Sequence, residues 1–344
     1  MFENLSLATN AAVFAAAALA VWVAGTRLAR YADQIAEKTG LGRELLGILL
    51  LGGVTSLPEL AVGVSATMAG APVLSVNDVL GSAAINVVIL AVADAVYGRD
   101  ALTSTPTSPA VMLQGALGIL MLSLVVGAGI AGDVLVLGMG AWSWLLLTSF
   151  FCAVWVIWKS QGTSAWLPTK QSPAPESSSD TGTGPDDGSL RMLLLHTVGV
   201  GAVILVAGFM LAGSAEALAE ETGLGTSFFG AVLLGFSTSL PELSTVLAAV
   251  RLRRYEMALA DVLGTNIFNV VIIVIVDALH PGEPVLIEAG RFAAFSALLA
   301  SVLTALYLIG MIERQNRTVL RMGIDSLAAL VCYGAGVVVL YQLR

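Results

Sequence analysis

The chain has 344 residues, 57% of them hydrophobic and only 12% charged, with a mean hydropathy of +0.89. These values exclude an ordinary water-soluble domain and place the chain in the membrane class. The net charge of −8 identifies no partner, because much of it sits in one polar loop, and no basic, aromatic-interleaved patch suggests nucleic acid.

Taken in order, ten apolar runs reach the length of about 20 residues that a bilayer core requires. They are 9–30, 42–68, 73–97, 110–130, 133–158, 192–219, 224–250, 256–279, 286–311 and 322–342. In lipid such runs must be helices, because open strand edges go unsatisfied there. The first run lacks a basic leader and an A-x-A cleavage site, so it reads as a retained span rather than a signal peptide. Cys152 and Cys332 are lone residues in apolar runs, without disulfide or metal-cluster spacing, and read as small apolar filler. Residues 159–190, around SPAPESSSDTGTGPDDGS, lack periodicity and have almost nothing to bury. They read as a disordered cytosolic linker. The expected fold is an all-α membrane protein of ten transmembrane helices. Its units are a first five-helix half (1–158), the linker (159–190) and a second five-helix half (191–344).

Lys and Arg set the orientation. With both termini outside, the inner side holds Arg27, Arg30, Lys38, Arg43, Arg99, Lys159, Lys170, Arg191, Arg251, Arg253, Arg254, Arg314, Arg317 and Arg321. Only Arg291 and Arg344 fall outside, a strong positive-inside bias.

The halves repeat. Gly52-Gly53-Val54-Thr55-Ser56-Leu57-Pro58-Glu59-Leu60 returns as Gly235-Phe236-Ser237-Thr238-Ser239-Leu240-Pro241-Glu242-Leu243, an offset of 183 residues. The same offset relates Glu37–Gly42 to Glu220–Gly225 and Asp78–Ile89 to Asp261–Ile272. Each half has an odd number of spans, so the second enters the membrane from the opposite side. That is an inverted-topology repeat, with a binding site expected at the midplane where the copies meet.

The repeated stretch carries the chemistry. Pro58 removes a donor and clashes one turn back, so with Gly52 and Gly53 it should open the helix at Thr55-Ser56. Thr55 and Glu59, four residues apart, share a face if the turn stays helical. Thr238, Ser239 and Glu242 around Pro241 supply the matching set. Two carboxylates with hydroxyl and carbonyl oxygens form a hard, oxygen-only site suited to Ca2+, with no soft ligand. A helix–helix hydrogen bond that only aids packing is the competing reading for each Glu, and the same broken context in both halves argues against it.

Asp78, Ser82 and Asn86 lie within about 80° of one helix face, and Asp261, Thr265 and Asn269 repeat the pattern. Asn86 and Asn269 sit near mid-span, where they offer amide oxygens to a cation or cap a neighbouring helix. Asp78 and Asp261 are either charges near a helix terminus or gate and accessory ligands. Asp94 and Asp277 read as solvated charges at helix ends. His196 and His280 belong to no motif.

The paired G-x-x-T-S-x-P-E and G-[ST]-x-x-x-N segments resemble the two alpha repeats of the calcium/cation antiporter superfamily, which includes the sodium/calcium exchangers. The alpha-1 motif covers 52–96 and the alpha-2 motif 235–279. The resemblance implies an antiporter working by alternating access, with spans 2, 3, 7 and 8 as the ion-binding core. Spans 1 and 6 would slide against that core. It implies that Glu59 and Glu242 ligate Ca2+, and that Thr55, Ser56, Thr238 and Ser239 serve the calcium and sodium sites. Gly52 and Gly235 would offer carbonyls, Ser82 and Thr265 would line flanking sodium sites, and Asn86 and Asn269 would complete the centre.

Two departures stand out. Exchangers commonly pair an Asn with an Asp at the central positions, whereas here both are Asn. The usual G-N is here Asn77-Asp78 and Ala260-Asp261. A core charge of about −2 rather than −3 is neutralised by one Ca2+, while three Na+ would leave costly positive charge in a low dielectric. Two monovalent ions per Ca2+, or H+ as counter-ion, are therefore expected, unless Asp78 and Asp261 reach inward. The competing class, a passive cation channel, would need a filter loop that the sequence lacks. No enzymatic constellation is present and no cofactor is implied. The expected partners are inorganic cations (Ca2+ with Na+ or H+) and the lipid bilayer, with no nucleic acid and no obligate protein partner.

Overall fold

The structure, a computed structural model, describes residues 5–40, 46–98, 100–105, 107–160, 189–220 and 228–343. The linker apart from its ends, Arg43, Arg99, Lys170, Arg344 and the 221–225 part of the second repeat lie outside the described residues.

Among the described residues, ten helices of 12 residues or more carry the fold. They are α1 (Leu7–Thr39), α2 (Leu57–Met68), α3 (Pro72–Tyr97), α4 (Pro109–Ala131), α5 (Ala141–Ser160), α6 (Leu190–Glu220), α7 (Leu240–Arg251), α8 (Tyr255–Leu279), α9 (Val285–Glu313) and α10 (Ile324–Leu343). Their ends follow local chemistry. Ser6 Oγ accepts the Thr9 N–H at the start of α1, and Gly40, at φ 70°, closes its end. Gly98 ends α3 in the same left-handed conformation.

Two spans are broken. A π-helical segment (Gly47–Gly52) leads into a single turn (Gly53–Thr55), Ser56 leaves helical geometry at ψ 1°, and α2 starts with Pro58 in its first turn. The second half repeats this with a π-helical Phe229–Leu234, a turn Gly235–Thr238, Ser239 at ψ 6° and Pro241 in the first turn of α7. The axis bends by 50° across that second break. Proline tolerates a helix start but not its interior, so each Pro, two residues beyond its non-helical Ser, fixes a helix start at the residue between them. The opening expected at Thr55-Ser56 is found there.

Helices α3 and α8 form the centre, with 78% and 83% of their most apolar stretch buried, against 22% for α1, α5 and α10. The halves interleave around them. Gly47 and Gly52 of the first broken span lie on Ala260 and Thr265 of α8, and Gly235 of the second lies on Gly81 and Ser82 of α3. A Cβ on Gly52 would stand 3.0 Å from the Thr265 nitrogen, and one on Gly235 2.9 Å from the Ser82 nitrogen. Glycine is what permits these approaches.

The long helices α1 and α6 pack on each other and lie over the broken spans. Gly25 of α1 sits against Ser244 and the Pro241 carbonyl, and Gly208 of α6 sits against the Pro58 ring. Arg254, which precedes α8, pairs with Asp33 (2.8 Å) and Glu37 (2.9 Å) at the end of α1.

Several sequence expectations need correction. Residues 133–158 are not all helix: Leu135–Val136 (β1) pairs antiparallel with Met139–Gly140 (β2) before α5 begins. Thr318–Val319 (β3) and Met322–Gly323 (β4) form the matching hairpin before α10. The first span runs well past residue 30, and α9 is kinked at Gly290 (φ 58°, ψ −143°).

Asp94 and Asp277 are not solvated ends. Both are buried and hold the hairpins. Asp94 accepts from the Leu102 N–H (2.7 Å), the Gly323 N–H (2.7 Å) and Ser326 Oγ (2.6 Å). Asp277 accepts from the Val285 N–H (2.7 Å) and the Gly140 N–H (2.7 Å). Each carboxylate thus ties its own loop to the hairpin of the other half. Hydropathy sees only a charge near a span end, whereas loop amides make such a charge worth burying.

Candidate cation site

The two breaks bring the hydroxyls and carboxylates of both halves to the α3–α8 crossing. Thr55, Ser56, Glu59, Ser82, Asn86, Thr238, Ser239, Glu242, Thr265 and Asn269 are all buried. Thr55 Oγ1 donates to Leu51 O (2.9 Å) and stands 3.5 Å from Thr265 Oγ1 on α8. The symmetric pair is closer, with Thr238 Oγ1 3.1 Å from Ser82 Oγ on α3. Ser82 Oγ also reaches the Gly235 carbonyl at 3.3 Å. The Gly52 carbonyl accepts the Ser56 N–H at 3.1 Å, across the break. Ser56 Oγ donates to Asn269 Oδ1 (3.2 Å).

Glu59 and Glu242 are fully buried, and none of their four carboxyl oxygens has a hydrogen-bond partner among the described residues. Glu59 feels the charge of Glu242 and Asp78, and Glu242 that of Asp261 and Asp78, with Thr238 near Glu59 and Thr55 near Glu242, each from the opposite copy. Buried charges are paired or bound to a metal, so four bare oxygens require a cation or protons.

Asp78 and Asp261 are also fully buried, which removes the reading of charges near a helix terminus. Asp78 Oδ1 accepts from Thr238 Oγ1 (3.2 Å), and Asp78 lies within the electrostatic reach of both Glu59 and Glu242. Asp261 Oδ2 accepts from Thr245 Oγ1 (2.5 Å), and Asp261 acts on Glu242. Both aspartates keep one oxygen, Oδ2 of Asp78 and Oδ1 of Asp261, without a partner among the described residues. The central region therefore holds four buried acidic side chains, two beyond the glutamates.

Among the described residues, no three His, Cys, Asp or Glu side chains converge tightly enough to form a metal cluster on their own. Ligand sets here must mix single carboxylates with hydroxyl, amide and carbonyl oxygens, which suits hard cations. His280 lies elsewhere, 2.8 Å from Glu288, and His196 stacks on Tyr31.

Four further buried polar residues of the spans were given no role from the sequence. Asn266 sits between α3 and α8, donating to Ala83 O (3.0 Å) and accepting from Asn86 Nδ2 (3.1 Å). Thr245 holds Asp261, while Asn77 and Gln114 are buried with no partner for either amide atom among the described residues. Their counterparts 183 residues away are Ala83, Val62, Ala260 and Ala297, so matching the two halves discards them. A polar residue in a span is costly wherever it occurs, and that signal alone would have found them.

A sequence model of the family described as "Sodium/calcium exchanger protein" matches residues 9–165 and 192–342. Inner membrane protein YrbG of Escherichia coli (strain K12) is 28% identical over 275 residues, 77% of this chain and 78% of its own. CaxA of Alkalimonas amylolytica, an antiporter by provisional designation, is 26% identical over 309 residues, 87% of this chain and 90% of its own. A solved structure of the sodium-calcium exchanger NCX_Mj, soaked with 2.5 mM Na+ and 0.1 mM Sr2+, superposes with a TM-score of 0.70 at 17% identity, covering 97% of this chain and 99% of that one. This last likeness is one of fold.

Proposed function

The chain belongs to the sodium/calcium exchanger protein family, and from that premise we propose that its Ca2+/cation antiport runs through the single site between the broken spans. The observation that carries this reading is the set of four unpartnered carboxyl oxygens on Glu59 and Glu242, one residue from each half. Glu59 and Glu242 are the Ca2+ ligands. Asn86, Ser56, Ser239 and Asn269 complete the centre, and Ser239 Oγ also lacks a partner among the described residues. Thr55, Thr265 and the Gly52 carbonyl flank it on one side. Ser82, Thr238 and the Gly235 carbonyl flank it on the other and serve the monovalent ions.

The counter-ion is Na+ or H+. Four buried carboxylates carry enough negative charge to accept either in place of Ca2+, so the two-for-one ratio expected from a weaker core is not imposed. Asp78, hydrogen-bonded to Thr238, is an accessory ligand of the flanking site. Because the same two glutamates serve both ions, Ca2+ and counter-ion compete and must alternate. The halves 1–158 and 191–344 are the repeats of the transporter, with both termini outside the cell membrane.

Purified protein in sealed vesicles tests this. Radiolabelled Ca2+ uptake is measured with Na+, K+ or H+ gradients imposed one at a time. Uptake driven by an outward Na+ or H+ gradient is expected. Flux that follows the Ca2+ gradient alone and ignores every counter-ion would establish a channel instead.

A further inference from the structure

Asn86 and Asn269 hold equivalent positions in the two halves, yet their surroundings differ in a way that decides which end of each amide meets a cation. A carboxamide offers an oxygen that ligates a cation and an NH2 that repels one. The Asn266 side chain lies against the Ala83 carbonyl at 3.0 Å. A carbonyl only accepts, so that end of Asn266 is its NH2, and its Oδ1 is the opposite end. That oxygen is 3.1 Å from the Asn86 amide, which must answer with Nδ2. The remaining atom, Asn86 Oδ1, is fully buried and has no hydrogen-bond partner among the described residues. One backbone carbonyl thus fixes two amides in sequence.

The second half has no such relay. The position equivalent to Asn266 is Ala83 itself. Asn269 Oδ1 is engaged by Ser56 Oγ (3.2 Å), and its Nδ2 has no partner among the described residues. The two central amides are therefore inequivalent, although the motif that carries them is the same.

We propose that Asn266 is a positioning residue that holds Asn86 with its amide oxygen toward the transported Ca2+, so that the first half supplies the committed amide ligand. This rests on the reading of Asn86 as a Ca2+ ligand. Groups that orient a metal ligand typically contribute about 10–100-fold in affinity.

The test is calorimetric Ca2+ binding to the purified full chain, with thermal unfolding recorded for each variant. N86A examines the underlying reading by itself: a Ca2+ affinity equal to that of the native chain would remove Asn86 as a ligand and the proposal with it. Given a loss in N86A, N266A is expected to weaken Ca2+ binding about 10–100-fold. N86D presents oxygen whichever way it turns, and Asn266 Oδ1 would then oppose it. Adding N266A to N86D should therefore leave affinity unchanged or tighten it, the reverse of its effect beside Asn86. An N266A loss of equal size in both backgrounds would overturn the proposal, because a residue that merely supports packing acts alike in each.

Discussion

At the residue scale, the electrostatics of the centre rest on four carboxylates with few protein partners. Replacing Glu59 or Glu242 by Gln keeps the shape and removes one charge. Each change should lower Ca2+ transport by more than the roughly 10–100-fold that losing a supporting group costs, with unfolding temperature unchanged or raised. Flux in vesicles and thermal unfolding in detergent check this together. Retained transport in either variant would place the site elsewhere. Asp78 sits beside Thr238 in the flanking set, so D78N should weaken coupling to the monovalent ion more than it weakens Ca2+ binding. The ratio of counter-ion-driven to Ca2+–Ca2+ exchange measures this, and an equal loss in both would assign Asp78 to the Ca2+ site itself.

These glutamates were legible from the chain alone, because each stands beside a Pro and two hydroxyls in an apolar run and the set occurs twice. Asn266 and Thr245 were not, because only one half carries each of them. Repetition reveals what the halves share and hides what distinguishes them. The inward reach of Asp78 was equally hidden. Its distance from the helix start, six residues after Pro72, is the same for a residue facing water and one facing the centre.

At the element scale, two contacts position the moving and fixed parts. Helix α1 meets the second broken span through Gly25, where a Cβ would strike Ser244 Oγ and lie 3.1 Å from the Pro241 carbonyl. G25A should therefore push α1 off the turn that carries Glu242, at a cost of about 1–3 kcal/mol, and slow turnover. S244A in the same chain opens that space and should recover part of both. Thermal unfolding and flux of the single and double variants check the pairing, and purely additive losses would show that the contact is incidental.

The hairpin ties give a second element-scale expectation. D94A strands the Leu102 and Gly323 amides in a buried setting, at about 1–3 kcal/mol for each unsatisfied group. It should destabilise the chain more than D277A, because Asp94 also holds Ser326. The order of the two unfolding temperatures decides this. Hydropathy located every long helix to within a few residues at most ends, but it missed both hairpins. Their two-residue strands are too short to show a period, and their amides are held by a side chain distant in sequence.

At the scale of the whole molecule, the orientation rests on Lys and Arg alone. The hairpin tips report it directly, since Leu137 is 89% exposed and Leu320 77% exposed. In a chain with Cys152 and Cys332 replaced by Ala, L137C should react with a membrane-impermeant thiol reagent in intact cells. L320C should react only after the cells are opened, and the opposite pattern would invert the proposed topology. The pairing of inverted halves was legible because one offset aligns three segments. Their interleaving was not, because sequence order gives no sign that each broken span lies on the central helix of the other half.

That interleaving bears on how the molecule is made. Asp94 needs an amide from Gly323, which leaves the ribosome more than two hundred residues later, and Asp78 needs a hydroxyl from Thr238. The half synthesised first must therefore wait in the bilayer with its acidic groups unshielded until the second half is inserted. At this stage, before any ion is carried, the protonated carboxyl is the form in which an unpaired acid is least costly to bury.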